Sequence, residues 1–186
     1  MKKLFILFSI MLFQTLAFGQ IHQISVGIAP YGHWRLKGSE SKVDQLSHSY
    51  SISEPAYHLN YGYRNEKDEY LGDIFYAKES LIDQSGQFCM ENNHIALHAY
   101  RGYTFFHEGR VQFPVYLGIG LSYYSQPVPT KLQVEMGGRA RVRIYLTNNI
   151  ALYVGGYYLL GLNGDKSNKD VVYHSGLETG LSFNFE

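Results

Sequence analysis

The sequence predicts an all-β protein, an eight-stranded antiparallel up-and-down barrel, and three observations carry that prediction. Apolar and polar residues alternate with a period of two through most of the chain. Tyrosine (17), glycine (19) and phenylalanine (11) are abundant and proline (5) is scarce, which suits twisted sheet with many aromatic positions and few helices. Longer polar connections alternate with short turns, as an up-and-down barrel requires when both termini lie at the short-turn end. No segment repeats its apolar residues at spacings of three and four, so a helical reading fails.

Residues 1–19 read as a cleavable signal peptide. Lys2 and Lys3 supply a positive start, an apolar run follows from Leu4, and Ala17, Phe18 and Gly19 precede a cut at Gln20. The apolar run is shorter than the roughly 20 residues of a transmembrane helix. A mature chain that starts with glutamine after such a leader resembles many exported proteins of one large group of Gram-negative bacteria. Residues 20–186 then form one domain. The formal net charge is zero, which gives no basic surface for nucleic acid. Cys89 is the single cysteine, so no internal disulfide forms and no lipid anchor is indicated near the cut.

The first strand is expected over 23–31, with Ile24, Val26 and Ile28 opposite Ser25, Gly27 and Ala29. Residues 35–49 carry no strand pattern and read as a polar loop. The second strand, 50–63, sets Tyr57, Leu59, Tyr61 and Tyr63 against His58, Asn60 and Gly62, and a turn follows at 65–68. The third, 69–80, is the least regular: with Asp73 inward, Leu71 and Phe75 share its face. A loop at 83–87 leads to the fourth strand, where Ile95, Leu97, Ala99, Tyr103 and Phe105 oppose His94, Ala96, His98, Tyr100 and Gly102. Arg101 sits on the apolar side, a defect unless it lies at a membrane rim.

The fifth strand begins at Val111 after a turn at 107–110, and Pro127 and Pro129 mark the loop that ends it. In the sixth, Leu132, Val134, Met136, Ala140, Val142 and Ile144 alternate with Gln133, Glu135, Arg139, Arg141 and Arg143. Thr147, Asn148 and Asn149 supply turn chemistry. The seventh strand puts Ile150, Leu152, Val154, Tyr158 and Leu160 on one face, and 161–170 is another polar loop. The eighth carries Leu177, Leu181, Phe183 and Phe185 opposite His174, Gly176, Glu178 and Asn184.

A membrane barrel and a soluble lipocalin-like ligand cup share this alternation with the faces exchanged. Glycine decides between them. Gly27, Gly62, Gly102, Gly118, Gly120, Gly155, Gly176 and Gly180 all fall on the polar parity. A solvent-facing surface gains little from glycine, whereas the crowded concave side of a tight barrel needs small residues among large ones. The polar face is therefore inside, and the apolar face, aromatic toward its ends, meets lipid. The fold class is then an eight-stranded transmembrane β-barrel in the outer membrane.

These features resemble the small eight-stranded outer-membrane barrels of the OmpX and OmpA-transmembrane-domain class. The alternating end of the chain, with Leu177, Thr179, Leu181, Phe183 and Phe185, is similar to the terminal signal read by the barrel-assembly machinery, although Glu186 follows the last aromatic. The resemblance implies outer-membrane lipid and that machinery as partners of a monomer, with an extracellular partner reached through the loops 35–49 and 161–170. Tyr145, Leu146 and Ile150 to Leu152 also resemble a hairpin in outer-membrane components of conjugative transfer systems, an alternative role.

Eight strands leave an interior just wide enough for side chains to fill it. Arg139, Arg141 and Arg143 point there and need acids, so Glu54, Asp73, Glu135 and Glu178 are expected as their partners in an interior polar network. His94 and His98 share a face, but four strand residues span about 13 Å, too far for one zinc; a cross-strand group of His58, His98 and His174 is the remaining metal arrangement, and no metal or other cofactor is expected. Some small barrels modify lipid A acyl chains. The deacylase pattern of histidine and serine two apart is missing, since His174 has Gly176 at that spacing and Ser175 faces the other way. The palmitoyltransferase type places its groups in external loops, where His48, Ser49 and Ser51 occur without a supporting spacing. No catalytic residues are assigned, and the expected role is non-enzymatic.

Overall fold

The alternating segments pair in sequence order into a closed cylinder. The computed structural model describes residues 21–37, 49–52, 55–82, 88–125, 132–162 and 171–185. Its strands are β1 (Ile21–Lys37), β2 (Ser49–Ile52), β3 (Ala56–Asn65), β4 (Asp68–Ile82), β5 (Phe88–Phe105), β6 (Val111–Tyr124), β7 (Leu132–Tyr145), β8 (Ile150–Leu162) and β9 (Val171–Phe185). Each pairs antiparallel with its neighbours, and β1 closes on β9 through pairs such as Val26 with Leu181. Both β2 and β3 lie between β1 and β4, so they are two pieces of one strand and the barrel has eight positions. Pro55 sits in the break, where its missing N–H would interrupt the ladder.

Two boundaries differ from the sequence reading. β1 runs through Lys37 instead of ending at residue 31, and its pairing with β9 shifts by one residue between Ile28 and Tyr31. Pro30 lies in that bulge, an unpaired position that tolerates proline. The second predicted strand is divided at Pro55. The signal peptide, Glu54, His48 and most of the loops 35–49 and 161–170 lie outside the described residues.

The faces fall as the glycine parity requires. Leu117, Ile119, Leu97, Leu132 and Leu177 are 59–73 % exposed, whereas Arg141, Arg143, Glu135 and Glu178 are at most 1 % exposed. An outer surface of leucine, isoleucine and valine around a charged interior is the solvation pattern of a lipid-embedded barrel and rules out the soluble cup. Tyr57, Tyr76 and Tyr123 mark one end of the apolar belt, Tyr103, Phe105, Phe113 and Phe185 the other. Tyr76, Ile95 and Tyr123 share one row. From that row to Tyr103 and Phe105 the rise is about 27–34 Å along β5, which at a tilt of about 40° gives roughly the 25 Å of a membrane belt.

Arg101 lies at the rim, two residues before Tyr103. Its guanidinium is 3.6 Å from Asp68 and lies over the Tyr70 ring at 5.8 Å. Its side chain is 70 % exposed, so the charge reaches the interface at the short-turn end while its stem covers apolar surface. The β7–β8 turn is closed by Thr147, whose Oγ1 accepts from the N–H of Asn149 (3.2 Å) and of Ile150 (3.0 Å). Of the three turn residues that the sequence offers, it is thus the threonine whose side chain accepts the turn's hydrogen bonds.

Interior glycines make room for rings. A Cβ on Gly102 would meet the Tyr116 ring, and one on Gly176 would lie 2.5 Å from the Tyr157 hydroxyl. These glycines and tyrosines are direct partners on neighbouring strands and pack as complementary pairs along the lumen wall.

Candidate functional site

The lumen contains a layered polar network, and strand alternation builds it. Arg139, Arg141 and Arg143 occupy successive inward positions of β7, about 7 Å apart along the strand. Across the barrel, antiparallel β4 turns Glu69 and Asp73 inward with the same spacing of four residues that separates Arg139 from Arg143. The equal spacing lets both ends of the arginine ladder meet an acid. β9 contributes Glu178 between them.

Nearest the short turns, Arg143 Nη2 donates to Glu69 Oε1 (2.6 Å) and to the Tyr116 hydroxyl (3.0 Å), while Thr104 donates to Glu69 Oε2 (2.7 Å). In the middle layer, Arg141 donates from Nε to Glu178 Oε1 (2.8 Å) and from Nη2 to Oε2 (3.1 Å). That two-pronged contact matches the planar fork of the guanidinium. Its Nη2 also reaches Asn60 Oδ1 (3.1 Å), and the Tyr153 ring lies 4.2 Å away. Arg139 donates to Asp73 Oδ2 (2.8 Å) and to Asn60 Oδ1 (2.9 Å), stands 3.4 Å from Glu178, and lies over Tyr100 at 4.8 Å.

The outer layers are histidine-rich. His58 Nδ1 hydrogen-bonds with Asp73 Oδ1 (3.1 Å). His98 lies between two acids, with Nδ1 3.4 Å from Asp73 Oδ2 and Nε2 2.7 Å from Glu135 Oε2. The other oxygen of Glu135 faces His94 Nε2 (3.6 Å), His174 Nε2 (3.9 Å) and the Tyr124 hydroxyl, which donates to it at 3.1 Å. Tyr124 Oη is also 2.7 Å from His174 Nε2, and its ring stacks on His94 at 4.4 Å.

Of the residues predicted for the interior network, Asp73, Arg139, Arg141 and Glu178 make one contiguous cluster, and Arg143 binds Glu69. Glu135 is joined to the cluster through His98 and Asp73 and faces histidines. Glu54 lies outside the described residues. Sequence reasoning missed Glu69, Asn60, His98 and Tyr124 as members. Glu69 shares the parity of Asp73, and its four-residue offset was the signal that could have found it. The three histidines considered for metal do not share one carboxylate: His58 and His98 flank Asp73, and His98 and His174 approach opposite oxygens of Glu135. Among the described residues, the three-donor metal-type group is instead His94, Glu135 and His174, whose ligand atoms lie within 4.8 Å of one another.

The short-turn end is closed by polar groups, of which Arg64 is charged. Gln23 donates to Ser25 and Ser182 (both 2.8 Å), Arg64 donates to Gln112 (2.5 Å), and Asn184 donates to the Tyr145 hydroxyl (2.8 Å).

No protein-family model matches the chain, and no curated protein matches it by sequence. Solved structures do resemble it. Neisserial surface protein A (NspA) aligns with a TM-score of 0.64 at 16% identity, over 90% of this chain and 98% of that one. Its fold is that of a small outer-membrane β-barrel. The outer membrane protein OprG from Pseudomonas aeruginosa is similar at a TM-score of 0.57 and 11% identity, over 90% of this chain and 95% of that one. At these identities the likeness is one of fold, and it agrees with the lipid-facing belt and charged lumen of this chain.

Proposed function

We propose that the chain is a non-enzymatic outer-membrane barrel that serves envelope structure or interaction, with a side-chain-filled lumen and specificity in the outer loops that follow β1 and β8. The observation that carries this reading is the closure of the lumen. The side chains of Arg139, Arg141, Asp73 and Glu178 have no exposed surface, and those of Arg143 and Glu69 are 1 % exposed. A barrel of eight strands closed by these layers is a rigid stub through the membrane that presents loops, and loops on rigid scaffolds commonly carry recognition. His174 is buried inside while Ser175 lines an outward cleft with Gly156 and Leu177. They do not form a histidine–serine pair on one face, which supports the non-enzymatic assignment over lipid A deacylation.

The test is to incubate the purified protein with lipopolysaccharide and phospholipid and to follow both lipids by mass spectrometry. Unchanged acyl composition is the expected result; removal or transfer of any acyl chain overturns the assignment. In planar bilayers the closed lumen should give no large steady conductance steps.

A further inference from the structure

We propose that His94, Glu135 and His174, with Tyr124 as a fourth oxygen donor, form a zinc site in the outer half of the barrel. The charge balance of the lumen points there first. Its three buried arginines meet Glu69, Asp73 and Glu178, while the fourth buried carboxylate, Glu135, has histidine and tyrosine partners among the described residues. A buried carboxylate without an arginine is costly unless another cation meets it. Two imidazoles and one carboxylate are a zinc donor set, and imidazole suits borderline divalent metals.

The geometry agrees. With zinc–ligand bonds of about 2.0–2.1 Å, tetrahedral donors stand roughly 3.3 Å apart. The separations here bracket that value: Tyr124 Oη to His174 Nε2 2.7 Å, Tyr124 Oη to Glu135 Oε1 3.1 Å, His94 Nε2 to Glu135 Oε1 3.6 Å, and His174 Nε2 to Glu135 Oε1 3.9 Å. The donor atoms of His94, Glu135 and His174 all lie within 4.8 Å of one another, so closing onto a metal requires the widest pair to draw together by up to about 1.5 Å. Glu135 is also pre-oriented. His98 holds its Oε2 at 2.7 Å and is itself beside Asp73, which leaves Oε1 for the metal, in the manner of groups that aim metal-binding carboxylates. The donors come from β5, β6, β7 and β9, so a bound ion would tie half of the barrel together across the lumen.

The experiment uses the full mature chain without a histidine tag, stripped with chelator in detergent and titrated with Zn²⁺ by calorimetry and with Co²⁺ by visible absorption. One zinc per chain, a tetrahedral Co²⁺ band and a higher melting temperature on loading are expected. His94→Ala and His174→Ala should each abolish stoichiometric binding, while His22→Ala at the short-turn end should retain it. Heat-modifiable gel migration reports whether each variant folds. If an alanine variant does not fold, X-ray absorption of the loaded wild-type protein decides: two imidazoles with oxygen donors support the site, and any other ligand set overturns it. Substoichiometric zinc in the wild type, or full binding by folded His94→Ala and His174→Ala, also overturns it.

Discussion

Replacing Arg141 by methionine should destabilise the barrel by about 3–5 kcal/mol, because it strips one partner from a buried ion pair. The structure sets the terms. Arg141 makes both contacts to Glu178, at 2.8 and 3.1 Å, and one to Asn60 at 3.1 Å, with the Tyr153 ring at 4.2 Å. In the variant, Glu178 keeps Arg139 at 3.4 Å and the His58 ring at 3.9 Å, and that arginine already serves Asp73. Removing both charges has a different outcome. Arg141→Met with Glu178→Met leaves no uncompensated charge at that layer, and such apolar replacements of buried pairs are often neutral or stabilising. Arg139 retains Asp73 and Asn60 in the double variant, so most of the single-site loss should be recovered. The assay is reversible urea unfolding in lipid vesicles, read by gel mobility and circular dichroism and completed as a double-mutant cycle. A single variant within about 1 kcal/mol of wild type, or strictly additive losses in the cycle, would refute the claim that Glu178 depends on Arg141.

Two further expectations concern the two faces. Gly118→Ala should cost about 1–3 kcal/mol by overpacking, because its Cβ would collide with the Ala99 carbonyl oxygen and the Tyr100 ring; Gly156→Ala, whose Cβ would have 3.4 Å to its nearest neighbour, should lie within about 0.5 kcal/mol of wild type in the same unfolding assay. Leu117, 73 % exposed in mid-belt, should lose about 2–4 kcal/mol as arginine, whereas Phe113→Arg near the short-turn rim should lose about 1 kcal/mol or less to the charge, with any excess reporting lost ring packing. Equal penalties at the two positions, measured by vesicle unfolding, would contradict the placement of the belt.

Most of the fold was legible because a barrel translates sequence parity directly into inside and outside. Eight glycines on one parity of the strands told which side was crowded, and the tyrosines opposite Gly102 and Gly176 show why. The places where the reading differs follow from proline and register. Pro30 marks a one-residue shift in β1, and such a shift changes the phase of an alternating pattern, so the strand reading stops at 31 and 35–37 read as loop. Pro55 divides a strand whose two halves keep the same neighbours. The network was legible one strand at a time but not across the lumen. Parity names Arg139, Arg141 and Arg143 as inward without saying which acid stands at which height. The height depends on stagger between strands, a property of closure that no single strand contains. His94 and His98 are the clearest case: about 13 Å of strand separates their backbones, yet both approach Glu135 from opposite sides of its carboxylate.

Stagger also explains why the lumen divides into two chemical halves. Below the level of Asp73, arginines and acids alternate in matched layers: β4, antiparallel to β7 with equal spacing, supplies the carboxylates for Arg139 and Arg143, and β9 supplies the one for Arg141. Above it β7 offers Glu135 and Gln133 in place of further arginines, and β5 and β9 supply His94, His98 and His174. The lower half is cohesive by itself. The upper half contains hydrogen bonds that polarise one another through Tyr124, Glu135 and His98, and its imidazoles can exchange a proton or a metal where an arginine cannot. Among the described residues, the lumen's imidazoles therefore lie at or above the level of Asp73, while the arginine layers below hold the cylinder in shape.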